Sequence, residues 1–322
     1  MTTAVRADER TAWPPARRLA IGCEQLGGHA WGAVEPAEVE AALLEAVDRG
    51  ITLFDTADVY GRGESERRLG QLFGQRRRES LLVATKFGVR LDAAGGVTYD
   101  SSPDWAEKAL HGSLDRLQTD YVDLFQVHYW DGRTPIESTF ERLESLRARG
   151  AIRHYGTTNF LPQIAPADFP GFVSVSHEFS LANRRHEADA GRCADNSLTF
   201  LSYGSLAQGI LSGKYDRSTS FGANDRRAAA RYVNFHGARL DRNLRIVEVL
   251  RGHAASLGRP MSQLAIAWIL ARLPASVAIV GIKRPAQLED AIQSLSLSLP
   301  LFMQRELDEI SSNPGADHEP GG

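Results

Sequence analysis

The stretch YVDLFQVHYWDGRTPIESTFERLESLRARGAIRHYGTTNF, residues 121–160, holds a complete strand–helix–strand unit, and its reading decides the fold. YVDLFQVH (121–128) and AIRHYGTT (151–158) are rich in β-favouring residues. Between them, TPIE (134–137) offers Thr134 as N-cap, Pro135 at the first helical position and Glu137 to close a capping box, so a helix is predicted over 135–149 with Gly150 as its stop. Near-continuous apolar strands joined this way are expected to run parallel, with both faces covered.

The alternation extends outward in both directions. RLAIGC (18–23), ITLFD (51–55) and SLLVATK (80–86) precede the unit, and FVSVS (172–176), LTFLSY (198–203) and SVAIVGI (276–282) follow it. Helical patterns lie at 36–49, 65–74 and 103–118; in the first, Val39, Ala42, Leu43, Ala46 and Val47 share one face. Eight strands with helical segments between most of them favour a single-domain (β/α)8 TIM barrel over residues 16–312, with its active site at the C-terminal rim. An open doubly wound sheet is the alternative, but no GxGxxG follows a strand: GRGESE (61–66) lacks the third glycine. Residues 1–15 read as a mobile tail and 313–322 as a flexible one.

Composition narrows the function. Of 322 residues, 43% are hydrophobic and 24% charged, and the formal net charge is -3, so neither wholesale disorder nor broad attraction to nucleic acid or an anionic membrane is expected. No apolar run is long enough for a membrane span. The two cysteines, Cys23 and Cys193, form no CxxC or Cys/His cluster, so no metal site or disulfide framework is expected and a cytoplasmic location is.

The strand ends carry the chemistry. The second ends at Asp55, the third at Lys86 and the fourth at His128, so a barrel delivers all three to one rim, and Tyr60 follows Asp55 on a loop spaced by Gly61 and Gly63. Each also has a purely structural reading: a loop cap, an ion pair, a core histidine, a packed tyrosine. Together they suggest more. A lysine at the end of an apolar strand needs a partner on desolvation, and Asp55 on the adjacent strand suits it. The ammonium is expected to favour the Tyr60 phenolate and lower its pKa, making it a proton donor, while His128 holds a carbonyl oxygen. Such a site contains no hydride, so it needs an external carrier.

FDTADVYGRGESE (54–66), ATKFG (84–88), SLDRLQTDYVDLFQVH (113–128), GAIRHYGTTNF (150–160), YGSLAQGILSGKY (203–215) and IVGIKRPAQLEDA (279–291) resemble, in order, the signatures of the aldo-keto reductase superfamily. The resemblance spans about residues 17–312. It implies a barrel without a Rossmann domain, a nicotinamide cofactor extended across the rim, and Asp55, Tyr60, Lys86 and His128 as a catalytic tetrad. It further implies that Thr158, Asn159 and Ser176 lie at the nicotinamide carboxamide and that Tyr203 stacks on the ring. Gly204, Ser205, Leu206, Gly209 and Lys214 are expected at the pyrophosphate. Ser176 stands where many relatives have glutamine, Phe179 where tyrosine is frequent, and Ala291 where asparagine is frequent.

The last strand runs through Gly281 into Lys283, Arg284 and Pro285, the last reading as the first residue of a helix. Two cations before a helix N-terminus suit a 2′-phosphate, so NADPH is expected over NADH, with Gln287 and Asp290 at the adenosine. Glu24, Trp31, Tyr129 and Trp130 are expected to line the substrate mouth. The segment 216–238 is too long for an ordinary turn and is expected over that mouth, mobile or with a short helix at DRRAAARY (225–232). The expected activity is reduction of a small aldehyde or ketone. A non-catalytic, cofactor-sensing regulatory subunit and a sugar or alcohol dehydrogenase working oxidatively are the alternatives.

Overall fold

Strand residues of period two must divide between two faces, and here the division builds two cores. The computed structural model describes residues 13–28, 31–32, 34–92, 94–222 and 224–312. The barrel strands are β1 (Leu19–Gly22), β2 (Leu53–Asp55), β3 (Leu82–Phe87), β6 (Val122–Val127), β7 (Ile152–Thr158), β8 (Phe172–Glu178), β9 (Thr199–Tyr203) and β10 (Ser276–Gly281). They close in the order β1-β10-β9-β8-β7-β6-β3-β2, every pair parallel. Ala20, Leu53, Leu82, Ala84, Leu124, Leu201, Val277 and Ile279 fill the interior as one cluster. Their neighbours Ile21, Phe54, Val83, Phe125 and Val280 belong to the second, larger cluster, under the helices.

Nine α-helices surround the barrel among the described residues: α1 (Pro36–Asp48), α2 (Glu64–Arg77), α3 (Pro103–Leu117), α4 (Ile136–Ala148), α5 (Glu187–Asp195), α6 (Gly237–Leu257), α7 (Met261–Arg272), α8 (Pro285–Ser294) and α9 (Leu301–Ser311). In α1, Val39, Ala42, Leu43 and Ala46 are buried, as the spacing predicts, and Val47 is half-buried. Between β7 and β8 there is no α-helix, only the 3-10 turn Pro166–Asp168. No helix among the described residues is long and apolar enough to cross a membrane.

Three local expectations differ from what forms. Helix α4 starts at Ile136 with Pro135 as its N-cap and no side-chain cap. Thr134 instead donates its hydroxyl to Asp131 Oδ2 (2.7 Å), and Asp131 Oδ1 accepts the amides of Arg133 and Thr134 (3.0 and 2.8 Å). The aspartate outcompetes the helix for the threonine because an ionised acceptor makes the stronger hydrogen bond. Secondly, the chain leaves β3 into an antiparallel hairpin of β4 (Val89–Leu91) and β5 (Val97–Tyr99), absent from the reading above. Thirdly, Trp13 packs on the barrel's interior cluster and donates Nε1 to Thr199 Oγ1 (3.1 Å), at the start of β9, so the expected tail does not reach residue 13. Residues 1–12 and 313–322 lie outside the described residues.

Candidate active site

The parity of the strands decides which side chains reach the barrel mouth. Leu53, Ala84 and Leu124 face inward, so Asp55, Lys86, Gln126 and His128, each an even number of residues farther along the same strands, face inward too. The ladder continues past the regular strands: Cys23 N–H donates to Asp55 O (2.8 Å), Thr56 N–H to Ala84 O (2.8 Å) and His128 N–H to Phe87 O (2.7 Å). Backbone bonds thus fix the Cα positions of the site before any side chain takes part.

Lys86 Nζ donates to Asp55 Oδ1 (2.8 Å) and to the Thr56 carbonyl (2.7 Å), and both charged side chains are buried. It also lies 5.1 Å from the centre of the Tyr60 ring. Tyr60 stands edge-on to His128, the ring centres 6.1 Å apart at 84°. Burial, opposed by the charge of Lys86, raises the Asp55 carboxyl. Burial and then Lys86 hold the His128 imidazole well below its usual range, so it is neutral, with Nδ1 buried and unpartnered among the described residues.

The expected lowering of Tyr60 is overturned. Burial first, then the charges of Glu24 and Asp55, push its hydroxyl well above 10. The low-dielectric site penalises the phenolate more than one already-paired ammonium favours it. Tyr60 is therefore protonated throughout the ordinary pH range. Asp58, two residues earlier, is pushed up to about 8 by burial and then by Glu66, and its Oδ1 has no partner among the described residues.

Tyr60 is held by glycine packing. Gly61 (φ 59°) lies against the turn Glu24–Gly27, where a Cβ would come within 2.3 Å of Gly27 O. Gly63 (φ 87°) caps α2 in the left-handed region. Within the same corner, Thr56 donates to Ser65 Oγ (2.8 Å) and Ser65 to Cys23 O (2.7 Å).

Behind the tetrad, polar residues line one wall. Tyr203 donates to Asn159 Oδ1 (2.5 Å), and Asn159 Nδ2 to His128 O (3.0 Å). Gln126, missed from sequence because it sits in an apolar run, donates from β6 past β7 to Ser176 Oγ on β8 (2.9 Å). Gln126 Oε1 and Thr158 Oγ1 are buried without partners among the described residues. Phe179 is fully buried and stacks on Trp268 at 5.6 Å.

The residues expected at the phosphates are dispersed along the next rim segment. Gly204 (φ 66°) and Gly209 (φ 99°) flank Ala207 and Gln208, also left-handed. The amide of Gly209 is occupied by Leu206 O (2.8 Å), and Ser205 pins β9 to β10 by donating to Ile279 O (2.8 Å). Leu206 is half-buried and Lys214 is exposed. Gly281 ends β10, its Cα beside the Gln25 side chain. Lys283 Nζ donates to Trp31 O (2.5 Å) and is lowered to about 8 by burial and by Arg227 and Lys214. Arg284 is exposed, 3.3 Å from Glu38. Gln287 Oε1 accepts the Lys283 amide (2.8 Å), whereas both Asp290 oxygens are taken by Ser262 and Gln263 of α7 (3.1 and 3.0 Å). Ala291 is fully buried.

The long segment after β9 straps the mouth. It contains 3-10 turns at Arg226–Ala228 and Val233–Phe235 rather than a helix over 225–232. Asp225 bridges to Trp31, and Arg227 pairs with Asp225 and lies 4.6 Å over the Phe221 ring. Phe235 packs on Tyr215 and Phe221 (5.4 and 4.9 Å). Arg226 pairs with Glu24 and lies 4.9 Å over Trp31. Tyr129 stacks on His128 (5.1 Å) and meets Tyr99 at a tilt (5.1 Å, 36°), and Trp130 donates Nε1 to Thr134 O (2.7 Å). Arg226 and Tyr99 were missed; a turn signal at AAGG (93–96) between alternating residues marks the hairpin that delivers Tyr99.

Among the described residues, one further group of ligating side chains lies outside the mouth. His177 and His186 stack at 3.8 Å and 12°, with His186 Nδ1 2.8 Å from Asp189 Oδ2. Nearly parallel imidazole planes cannot both direct a lone pair at one ion; Asp189 bonds His186, while both His177 ring nitrogens are buried without hydrogen-bond partners among the described residues.

The aldo/keto reductase family model matches residues 18–312. The NADP(+) aldo-keto reductase yakc of Schizosaccharomyces pombe is 34% identical over 317 residues, covering 94% of this chain and 92% of that protein. The aldo-keto reductase YhdN of Bacillus subtilis is 33% identical over 310 residues, with coverage of 94% and 92%. Among solved structures, the glycerol dehydrogenase AKR11B4 of Gluconobacter oxydans matches with a TM-score of 0.82 at 28% identity, covering 93% of each chain.

Proposed function

The chain belongs to the aldo/keto reductase family, and from that premise we propose that it reduces the carbonyl of a small aldehyde or ketone to the alcohol with NADPH, Tyr60 giving the proton. The observation that carries this reading is the convergence of Tyr60, the buried Lys86–Asp55 pair and neutral His128 on one inward-facing mouth.

The residues present suit a nicotinamide cofactor. The unpartnered Gln126 Oε1 and Thr158 Oγ1, with Ser176 and Asn159, offer a carboxamide the donors and acceptors it needs. Tyr203 offers a ring face. Lys283, Arg227 and Lys214 act on one another as like charges, a cost that a bound phosphate relieves. The name of the Schizosaccharomyces relative supports NADP(H). When bound, the cofactor supplies the hydride.

The protein's part is orientation and proton transfer. His128, neutral, donates a hydrogen bond to the carbonyl oxygen and draws it toward Tyr60. The Tyr60 hydroxyl, protonated because its site is buried, gives its proton to that oxygen as the carbonyl carbon is reduced. The phenolate left behind faces the Lys86 ammonium, which Asp55 and the Thr56 carbonyl hold in place. Solvent returns the proton. The same groups serve the reverse reaction, and the Gluconobacter enzyme's name supports an alcohol–carbonyl couple. The buried free thiols of Cys23 and Cys193 support a reducing, cytoplasmic setting.

Loss of NADPH absorbance on addition of aryl aldehydes, short ketones, aldoses and keto-sugars tests the proposal. No turnover with any carbonyl, in either direction, overturns it.

A further inference from the structure

Glu24 and Arg226 meet across the mouth from segments 202 residues apart. Glu24 opens the 3-10 turn after β1, and Arg226 opens the turn Arg226–Ala228 in the strap. Their side chains are 26% and 24% exposed, so the pair is neither sealed in the core nor free in solvent. We propose that this pair reads hydroxyl groups on the substrate, selecting carbonyl compounds hydroxylated beside the carbonyl over their unsubstituted analogues. The inference rests on the reductase reading above and names its substrate class.

Four observations carry it. The pair is preorganised: Arg226 lies 4.9 Å over Trp31 and 5.8 Å from the Tyr232 ring, and the Asp225–Trp31 bridge beside it fixes the backbone. It is close to the chemistry, since the Glu24 charge acts on the hydroxyls of both Tyr60 and Tyr129. It has spare capacity: only Arg226 Nη1 and Glu24 Oε1 bond each other, leaving Glu24 Oε2 and the other guanidinium N–H groups open among the described residues. Tyr129, on which the Glu24 charge acts, and Tyr99 beside it are 36% and 40% exposed, offering apolar faces to a carbon chain.

The chemistry of the pair chooses the ligand. A hydroxyl donates to Glu24 Oε2 and accepts from an Arg226 N–H at once, leaving the ion pair intact. An anionic group on the open Arg226 N–H groups lies beside the Glu24 carboxylate and is repelled by it. An unsubstituted chain strips water from both charges and replaces none of its hydrogen bonds, and sites of that kind discriminate strongly against the analogue that lacks the hydroxyl.

The test compares kcat/KM for glyceraldehyde and for propanal, equal in carbon number, with NADPH as donor. The readout is the change in their ratio between wild type and variants, which cancels aldehyde hydration. Arg226→Met and Glu24→Gln are each expected to lower the glyceraldehyde-to-propanal ratio by about tenfold or more, by the loss of one charge-assisted hydrogen bond. The near-isosteric Glu24→Gln carries the test if Arg226→Met does not fold. A ratio that moves less than about threefold in the folded variants, with propanal still reduced, overturns this proposal and spares the reductase reading. Selective loss of glyoxylate reduction in Arg226→Met, with the ratio unmoved, also overturns it, in favour of anion recognition. No reduction of any aldehyde by the wild type overturns both.

Discussion

Lys86 Nζ lies 2.8 Å from Asp55 Oδ1 on the neighbouring strand, and both side chains are sealed from solvent. Removing one partner of such a pair leaves the other charge buried alone, so Asp55→Asn is expected to cost about 3–5 kcal/mol of stability. Replacing both, as Asp55→Leu with Lys86→Met, should restore most of that stability and none of the activity. Urea unfolding of the three proteins measures both effects; a loss below about 1 kcal/mol in the single variant means the pair is not held as buried charges.

Tyr60→Phe removes the proton donor and little volume. Turnover is expected to fall by about 100-fold or more, the usual contribution of a positioned acid, with NADPH affinity within about threefold of wild type. Fluorescence titration with NADPH beside steady-state kinetics separates the two. Near-normal turnover would remove Tyr60 from the mechanism.

The pH dependence of cofactor binding follows from Lys283. Its ammonium is charged below about 8 and neutral above, so NADPH affinity should fall as pH rises through 8, whereas NADH, lacking the 2′-phosphate, should be nearly indifferent. Lys283→Ala should weaken NADPH by about tenfold or more and abolish that pH step. Arg284→Ala should do much less, because its guanidinium is exposed and already faces Glu38. Isothermal titration at pH 6.5 to 9.5, about 1.5 units on each side of the step, gives all three comparisons; equal weakening of both cofactors would argue against phosphate recognition here.

Gly61→Ala tests the packing that holds Tyr60. The new Cβ meets Gly27 O at 2.3 Å in a left-handed backbone, so the loop must move. Stability should drop by about 1–3 kcal/mol or more, and turnover should fall further than stability alone explains. Gly132→Ala, also at positive φ but with nothing within 4 Å, supplies the strained but uncrowded control.

What the sequence by itself determined were the features that are local. Period-two strands, helices with one buried face, and a residue parity that turns Asp55, Lys86 and His128 to one side of the barrel depend on spacing along the chain, and spacing is visible without a structure. The hairpin of β4 and β5 was legible in principle, since AAGG separates two short alternating runs. Only the tertiary structure decided what each polar group meets. Burial and Glu24 reversed the expected direction for Tyr60, Asp131 took Thr134 from its helix, and Ser262 and Gln263 took Asp290. The Glu24–Arg226 contact joins segments 202 residues apart. Desolvation and pairing depend on neighbours in space, and no spacing rule carries them; a charge's chemistry is therefore settled only once the barrel has closed around it.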